Sequence, residues 1–378
     1  MSKLLLKIPK FLLGLTLTVL NLLCVTGLNV CAYSVLIPPQ EHASVSYFGL
    51  LFPAFLIATL AFLPIWLVLG MMGLNFERGR KKKRSAYWGM MISLVGMACC
   101  AGSIRTYWPL NLPADPPAGA LKIMSFNIYT LANKDNVPWV EHPTVRYLQK
   151  SRADIVCIQE SGPMSKEHID TLLAEIYPYR QYDIVKGSHF ACLSRYPIVS
   201  MTTIDYASQG NASLAYDVVV EQDTLLVINN HLESYKLHDA DREEYKDVIL
   251  RKDSTDMRRN ILDLRKKLAD ANIIRGPQAD SVGSFIDQHQ DRLIICCGDF
   301  NDASLSYTHH RLTRRLNDAY TRSGNGPGPS YNQSGMYFRI DHILCSPAFR
   351  AYGATVDATI KSSDHYPIYC WLELPNHP

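Results

Sequence analysis

The sequence predicts an α/β fold, a four-layer α/β/β/α sandwich preceded by transmembrane helices. Three observations predict it. Long apolar stretches are confined to the first third of the chain, short apolar runs alternate with polar or helical stretches over the rest, and those runs repeatedly end in Asn, Glu, Asp or His. The chain-wide figures, 378 residues with 47% hydrophobic residues and a formal net charge of +3, average over this asymmetry. The remainder of the chain, beyond the apolar third, is long enough for one sizeable core.

Residues 11–37, 47–74 and 86–107 are nearly free of charge, and each reaches the roughly 20 residues a helix needs to cross a hydrocarbon core. Lys3, Lys7 and Lys10 precede the first stretch, and Arg78, Arg80, Lys81, Lys82, Lys83 and Arg84 separate the second from the third. The turn between the first two carries Glu41 and His42 and no Lys or Arg. Basic flanks stay cytoplasmic, so three crossings put everything after Tyr107 outside the cytoplasm. A cleaved signal peptide at the amino terminus would leave that outcome unchanged, because the 78–84 cluster alone sends the last span outward. Gly89, Ser93, Gly96, Ala98, Gly102 and Ser103 give the third span a small-residue face for close helix packing. The expected organisation is a membrane anchor over 1–108, a Pro- and Ala-rich linker over 109–119, and a globular domain over 120–378. The protein is then integral to a plasma or inner membrane.

In the globular part LKIMSFNIY, ADIVCIQE, HFACLSRYPIV, YDVVVE, TLLVINNHL, DRLIICCGDF, IDHILCS and ATIKSSDHYPIYCWLEL read as strands. A charged insertion at 234–290 reads as a pair of amphipathic helices, with Ile249, Leu250, Ile261, Leu262, Leu264 and Leu268 at helical spacing. Residues 323–331, SGNGPGPSY, read as a flexible loop. Cys157, Cys192, Cys296 and Cys297 sit inside strand-like runs, where cysteine behaves as a small hydrophobe, so free buried thiols are expected rather than disulfides.

Asn127 closes one strand, Glu160 the next, His231 another, and Asp299 and Asn301 follow LIICCG; Asp341 lies in RIDHIL, and Asp364 with His365 in SSDHYPI. Folding alone does not require apolar strands to end this way, and such groups can converge on one pocket. The set suits phosphate esters, because a hard cation such as magnesium takes oxygen ligands and keeps several waters. No paired-His or Cys pattern for structural zinc is present. Glu233, His238, His309 and His310 are expected on solvated surfaces, and His342, Tyr366, Ser194 and Arg195 as packing neighbours.

At these positions the chain resembles the endonuclease/exonuclease/phosphatase family, the group of deoxyribonuclease I, abasic-site endonucleases, neutral sphingomyelinases and inositol polyphosphate phosphatases. SFN, IQE, LSRYPI, NNHL, GDFN, RIDHIL and SDHYPI occur in the family's order, from about Leu121 to Leu374. The resemblance implies Glu160 as principal metal ligand, with Asn127 beside it and Asp364 near the ion, which would be magnesium or manganese in its place. It implies Asp299 as the group that positions and polarises the attacking water, Asn301 as a phosphate contact, Asp341 as the residue orienting His365, and His231 as a hydrogen-bond donor to the transition state. Tyr129 stands where abasic-site endonucleases usually carry a second acid, and His231 where they have Tyr. Both departures point to the branch with two histidines.

The function expected from sequence is thus hydrolysis of a phosphodiester or phosphomonoester, of nucleic-acid or phospholipid type, outside the cytoplasm. The alternative is a catalytically inactive, membrane-anchored binding protein of the same fold, whose expected signature is loss of the metal carboxylate or of a catalytic His; neither is missing. No protein partner can be named from the sequence.

Overall fold

The computed structural model describes residues 7–71, 85–131, 137–162, 165–208, 210–235, 257–333 and 336–375. The basic cluster at 78–84, Lys3, and residues 236–256 with His238, Ile249 and Leu250 lie outside the described residues.

Helices α1 (Lys7–Tyr33) and α2 (Phe52–Met71) are extended by 3₁₀ turns at Ser34–Leu36 and Phe48–Leu51. Both resulting segments, Leu12–Leu36 and Phe48–Met71, are long and apolar enough to cross a membrane. The third predicted span differs. It consists of α3 (Ser85–Cys99) and α4 (Ala101–Tyr107), which meet at 69°. Cys100 breaks the helix at φ −113 and ψ 24. The bend brings Tyr107 edge-on to Phe52, ring centroids 5.9 Å apart, and lets Arg339 Nη2 donate to Thr106 O at 2.7 Å. The small-residue face of α3 packs as expected: Gly89 faces Trp66 and Gly96 faces Val25, so closely that a Cβ at either would collide. Amide bonds reinforce this packing, from Asn21 Nδ2 to Gly89 O at 2.8 Å and from Asn29 Nδ2 to Gly96 O at 3.1 Å.

The turn joining α1 to α2 does not hang free. Leu28, Cys31, Ala32, Phe52, Leu56 and Cys100 share one apolar cluster with Leu305 of the globular part.

That part comprises β1 (Leu121–Asn127), α5 (Pro143–Ser151), β2 (Ile155–Gln159), α6 (Ser165–Leu173), β3 (Tyr179–Val185), β4 (Ser188–Ser194), β5 (Ile198–Ile204), β6 (Ala212–Val220) and β7 (Asp223–His231). It continues with α7 (Met257–Gln288), β8 (Ile294–Asp299), α8 (Tyr307–Thr313), β9 (Asn317–Asp318), α9 (Ala319–Ser323), β10 (Tyr331–Gln333), β11 (Met336–Phe338), β12 (Asp341–Cys345), β13 (Arg350–Val356) and β14 (Ile368–Glu373). One six-stranded sheet runs β13-β14-β1-β2-β4-β3 and the other β5-β6-β7-β8-β12-β9.

Alternation along the strands builds the layers. Leu121 and Ile123 of β1, Ile155 and Cys157 of β2, Val227 of β7, Ile295 and Cys297 of β8 and Ile343 of β12 meet between the sheets. The intervening residues face outward. Met124, Phe126, Val156 and Ile158 pack under α5 and α6 through Val145, Leu148 and Leu173. Leu226, Ile228, Cys296 and Leu344 pack under α7 and α8 through Val282, Ile286 and Leu312. The result is the four-layer α/β/β/α sandwich. All ten cysteines are free thiols, and the six of the globular part are buried.

The described carboxyl-terminal part of the 234–290 insertion is one helix of 32 residues running through Pro277, and the first helix of the expected pair lies outside the described residues. Three of the residues expected on solvated surfaces need correction. Glu233 and His309 are buried, not solvated, and His310 is half-buried. His309 Nε2 lies 3.2 Å from Asp318 Oδ2, and Arg339 Nη2 lies 3.8 Å from the same oxygen. These three with His342 form a buried polar knot; His342 Nε2 contacts Asp302 O at 3.1 Å. Here a charged Asp is compensated by a fixed cation, which is the condition for burying it.

Burial pushes the His342 imidazole well below its ordinary pKa of 6.5, and the neighbouring His309 and Arg339 add to this. Above the ordinary value neither the folded nor the unfolded chain binds this proton, so stability is complete. As pH falls through 6.5 the unfolded chain takes up the proton first, and stability is lost down to the folded-state value. The unfolding midpoint of the detergent-solubilised chain should therefore drop between about pH 7 and about pH 5, and His342→Gln should make that dependence shallower by up to about 1.4 kcal/mol per pH unit. An unchanged slope in the variant would refute the assignment.

Candidate active site

Period-2 alternation decides which strand-end residues meet. Asn127, His231, Asp299 and Asp341 share parity with the inward-facing core residues of their own strands, so all four project between the sheets at one end. In register, Asp299 sits opposite His231 on the parallel neighbour β7 and opposite Asp341 on the antiparallel neighbour β12. Strand pairing alone thus sets three of the expected residues side by side.

Local geometry supplies the others. Glu160 follows β2 at φ 49 and Asn301 follows Asp299 at φ 50, both in the left-handed region that side chains other than Gly rarely occupy. Asn127 Nδ2 donates to Glu160 Oε1 and to Asp299 Oδ2, each at 3.0 Å. Asn301 donates from its backbone N to Asp299 Oδ1 at 2.8 Å and from Nδ2 to Leu232 O at 2.9 Å. His365 Nδ1 meets Asp341 Oδ2 at 2.8 Å, and its Nε2 lies 3.7 Å from Asp299 Oδ2. His231 Nε2 lies 3.4 Å from Glu160 Oε1, and its Nδ1 lies 3.1 Å from Ser188 Oγ. Asp364 and Glu160 line the same cavity, of about 1040 Å³, as His231, Asp299, Asn301 and His365. All eight predicted site residues are therefore in this one region, with Asp341 and Asn127 buried behind its surface.

Sequence reasoning missed the residues that hold these. Ser363 Oγ donates to Asn127 O at 2.7 Å and accepts from His365 N at 3.1 Å, tying the β14-side loop to β1. Ser188 orients His231, and the Tyr331 ring stands edge-on to His365 at 5.1 Å. Gln159 Nε2 donates to Asn229 Oδ1 at 2.6 Å, a second bond between the two sheets just beneath the site. Gln159, Asn229 and Asn230 were visible as polar residues at the ends of IQE and NNHL, which an apolar-run reading passes over. Arg195, expected as a packing neighbour, is bonded to Asp154 at 2.9 Å.

The electrostatics separate the two histidines. Burial opposes the imidazolium of His365, but the carboxylates of Asp341 and Asp299 outweigh it and raise its pKa to about 10. Burial lowers that of His231, with the positive His365 adding to the effect. One ring is thus kept charged and the other neutral. Burial raises Asp299 to about 6, with Asp341 adding to the shift and the two histidines opposing it. Glu160 is raised by burial too, with Asp364 and Asp341 contributing repulsion.

The donor set fits a hard divalent cation. Glu160 and Asp364 offer carboxylate oxygens and Asn127 an amide oxygen that here accepts from Tyr129 N at 3.1 Å, and the repulsion that adds to the effect of burial on Glu160 is what such an ion relieves. Ligand atoms of Asp299, Asp341 and His365 also lie within 4.8 Å of one another, as do those of His309, Asp318 and His342. The first trio commits its imidazole to Asp341 as a cation, and the second already holds Arg339 against Asp318. Neither matches the oxygen-rich environment such an ion takes.

Residues 124–365, more than half of the chain, match the model of the Endonuclease/Exonuclease/phosphatase family. The chain belongs to this family. Its members are in general metal-dependent phosphoester hydrolases. Residues 11–71 match a second model, described as a domain of unknown function. No curated protein matches the chain. Solved structures share the endonuclease/exonuclease/phosphatase fold, among them the following two. A humanized D. rerio TDP2 carrying 14 mutations is 16% identical, with 67% of this chain and 99% of that one covered and a TM-score of 0.50. An endonuclease/exonuclease/phosphatase from Beutenbergia cavernae DSM 12333 is 17% identical, with 68% and 72% covered and a TM-score of 0.50. At these identities the likeness concerns the fold.

Gly298 is the backbone condition for the site. It precedes Asp299 at φ +134, and a Cβ there would run into Asn230 O of the neighbouring strand. Gly298→Ala should lower stability by at least about 1–3 kcal/mol, read as a fall in the denaturant midpoint of the full chain. A variant as stable as the parent would show that the strand tolerates a side chain at this point.

Proposed function

We propose that this protein is a membrane-anchored, divalent-metal-dependent phosphoesterase that hydrolyses a phosphodiester or phosphomonoester, of nucleic-acid or phospholipid type, outside the cytoplasm. The observation that carries this reading is the meeting of Glu160, Asp299, Asn301, His231 and His365 in one cavity, with Asp341 bonded to the far nitrogen of His365 and Ser188 to that of His231.

Glu160, Asp364 and Asn127 would hold the cation, magnesium or manganese, which when bound polarises the phosphoryl group and stabilises the leaving oxygen. The protein's own groups do the rest. Asp299, raised to about 6 and so ionised at neutral pH, orients the attacking water and takes up its proton. Asn301 holds the phosphate beside it. Asp341 fixes the His365 ring through Nδ1, leaving the charged Nε2 to meet the phosphoryl oxygen as negative charge gathers there. His231, neutral, accepts the Ser188 hydroxyl at Nδ1 and donates from Nε2.

The division into an anchor over 1–108, a linker over 109–119 and a catalytic domain over 120–378 is part of the proposal. So is extracytoplasmic placement. It is supported by the basic residues flanking the spans and by the docking of the Lys- and Arg-free turn at 38–46 on the globular part, through Asn272 Nδ2 to Ser46 Oγ at 2.9 Å.

The full chain in detergent should release product from phosphate esters in the presence of magnesium and lose that activity with chelator. Glu160→Ala and His365→Ala should each lower kcat by about 10²–10⁴-fold. Turnover that survives chelation and both substitutions would sink the mechanism; no metal-dependent turnover of any ester would favour a binding protein of the same fold. For topology, a cysteine introduced at exposed Glu41 should react with a membrane-impermeant maleimide in intact cells. Labelling only after lysis would reverse the assigned orientation.

A further inference from the structure

The cavity is not walled by catalytic residues alone. Phe48, Leu50 and Leu51 line it on one side and Ile261, Leu264 and Leu268 on another. The first three lie in the 3₁₀ turn that runs directly into α2, a helix long and apolar enough to cross a membrane. The second three recur three and four residues apart on α7, which places them on one face of that helix. Arg265 Nε, on the same helix, donates to Tyr47 OH at 2.8 Å, and Asn272 one pair of turns later binds Ser46. The amino-terminal half of α7 thus lies along the interhelical turn of the anchor. Leu51 is 47% exposed and Ile261 36%, with Leu262 beside it at 52%, so apolar surface continues out of the cavity at this edge.

An acyl chain is the part of a phosphate ester that such a wall takes out of water. A nucleic-acid groove collects several cations along its backbone track, yet among the described lining residues Arg265 is the only Lys or Arg. We infer that the substrate is a membrane lipid carrying a phosphate ester, drawn from the leaflet beside α2, with its acyl chain lying between the Phe48–Leu51 turn and α7 while its phosphate reaches His365 and Asn301. This rests on the phosphoesterase reading and adds the substrate class to it. The hydrolysis consumes one water, breaks one P–O bond and leaves the acyl chains attached to whichever product retains the lipid backbone.

The test uses the full chain in one mixed-micelle system with magnesium. Phosphatidylcholine, phosphatidylglycerol, phosphatidic acid and sphingomyelin are each compared with the deacylated phosphoester of the same headgroup, alongside DNA and RNA. Each methylene taken out of water is worth about fourfold, so at least one lipid should exceed its deacylated counterpart in kcat/KM on the order of a hundredfold. Leu264→Asn should reduce that ratio by about tenfold. Leu51→Asn, at a half-exposed position, should reduce it in the same direction. Metal-dependent hydrolysis of nucleic acid or deacylated esters as fast as of any lipid, or ratios that neither substitution moves, would overturn the inference while leaving the phosphoesterase reading intact. Absence of metal-dependent hydrolysis of every ester would remove that reading and the inference with it.

Discussion

One side-chain amide joins the two halves of the site. The Nδ2 group of Asn127 donates within its own sheet to Glu160, beyond β2, and across the gap between the sheets to Asp299, at the end of β8. Those carboxylates belong to different sheets and would otherwise repel in a poorly solvated space. Hydrogen bonds to charged groups contribute about 1.5–3 kcal/mol each, and more is at stake when a buried acceptor would be left unmet. Gln159 and Asn229 repeat the device one layer deeper. Below that the interface between the sheets is carried by aliphatic side chains, a few aromatic rings such as Phe190 and Tyr216, and unpaired thiols. The sheets are therefore riveted by polar bonds at the functional end and sealed by apolar packing elsewhere.

The same geometry explains how two imidazoles a few ångströms from common carboxylates acquire opposite character. His365 has Asp341 bonded to its far nitrogen, whereas His231 has only a serine hydroxyl there. A carboxylate stabilises the charged ring; a hydroxyl serves either form. Burial, common to both, then tips the second ring to neutrality.

Much of this was legible in the sequence because a period of two leaves little freedom. Once LKIMSFN is a strand with Leu121 and Ile123 inward, Asn127 must be inward as well, and the same holds for Asp299 after Ile295 and Cys297. The central strands were readable because both their faces are covered. Of the strands overlooked or only grazed, β3, β5, β9 and β13 are the edges of the two six-stranded sheets, where one side lacks a partner and the residues are mixed, and β10 and β11 form a separate two-stranded sheet. Glu233 and His309 were misjudged for a related reason. A charged residue is expected in solvent unless a partner is known, and their partners lie far along the chain or in backbone not visible to periodicity; His309 needs Asp318 and Arg339. Ser363 and Ser188 gave no signal, since a serine's value depends on which backbone group or ring it reaches. The bend at Cys100 was likewise hidden, because an apolar count does not register a break of one residue.

The wall formed by Phe48–Leu51 and α7 joins segments more than two hundred positions apart in the chain, one running into an apolar helix long enough to cross a membrane and one in the globular part. A molecule resting between them bridges the two as a removable strut. By reciprocity, whatever free energy the occupied cavity adds to the joint is returned as tighter occupancy when the joint is closed. In the membrane-anchored protein proposed above, whatever tilts α2 is thereby coupled to the affinity of the cavity that its first turn borders.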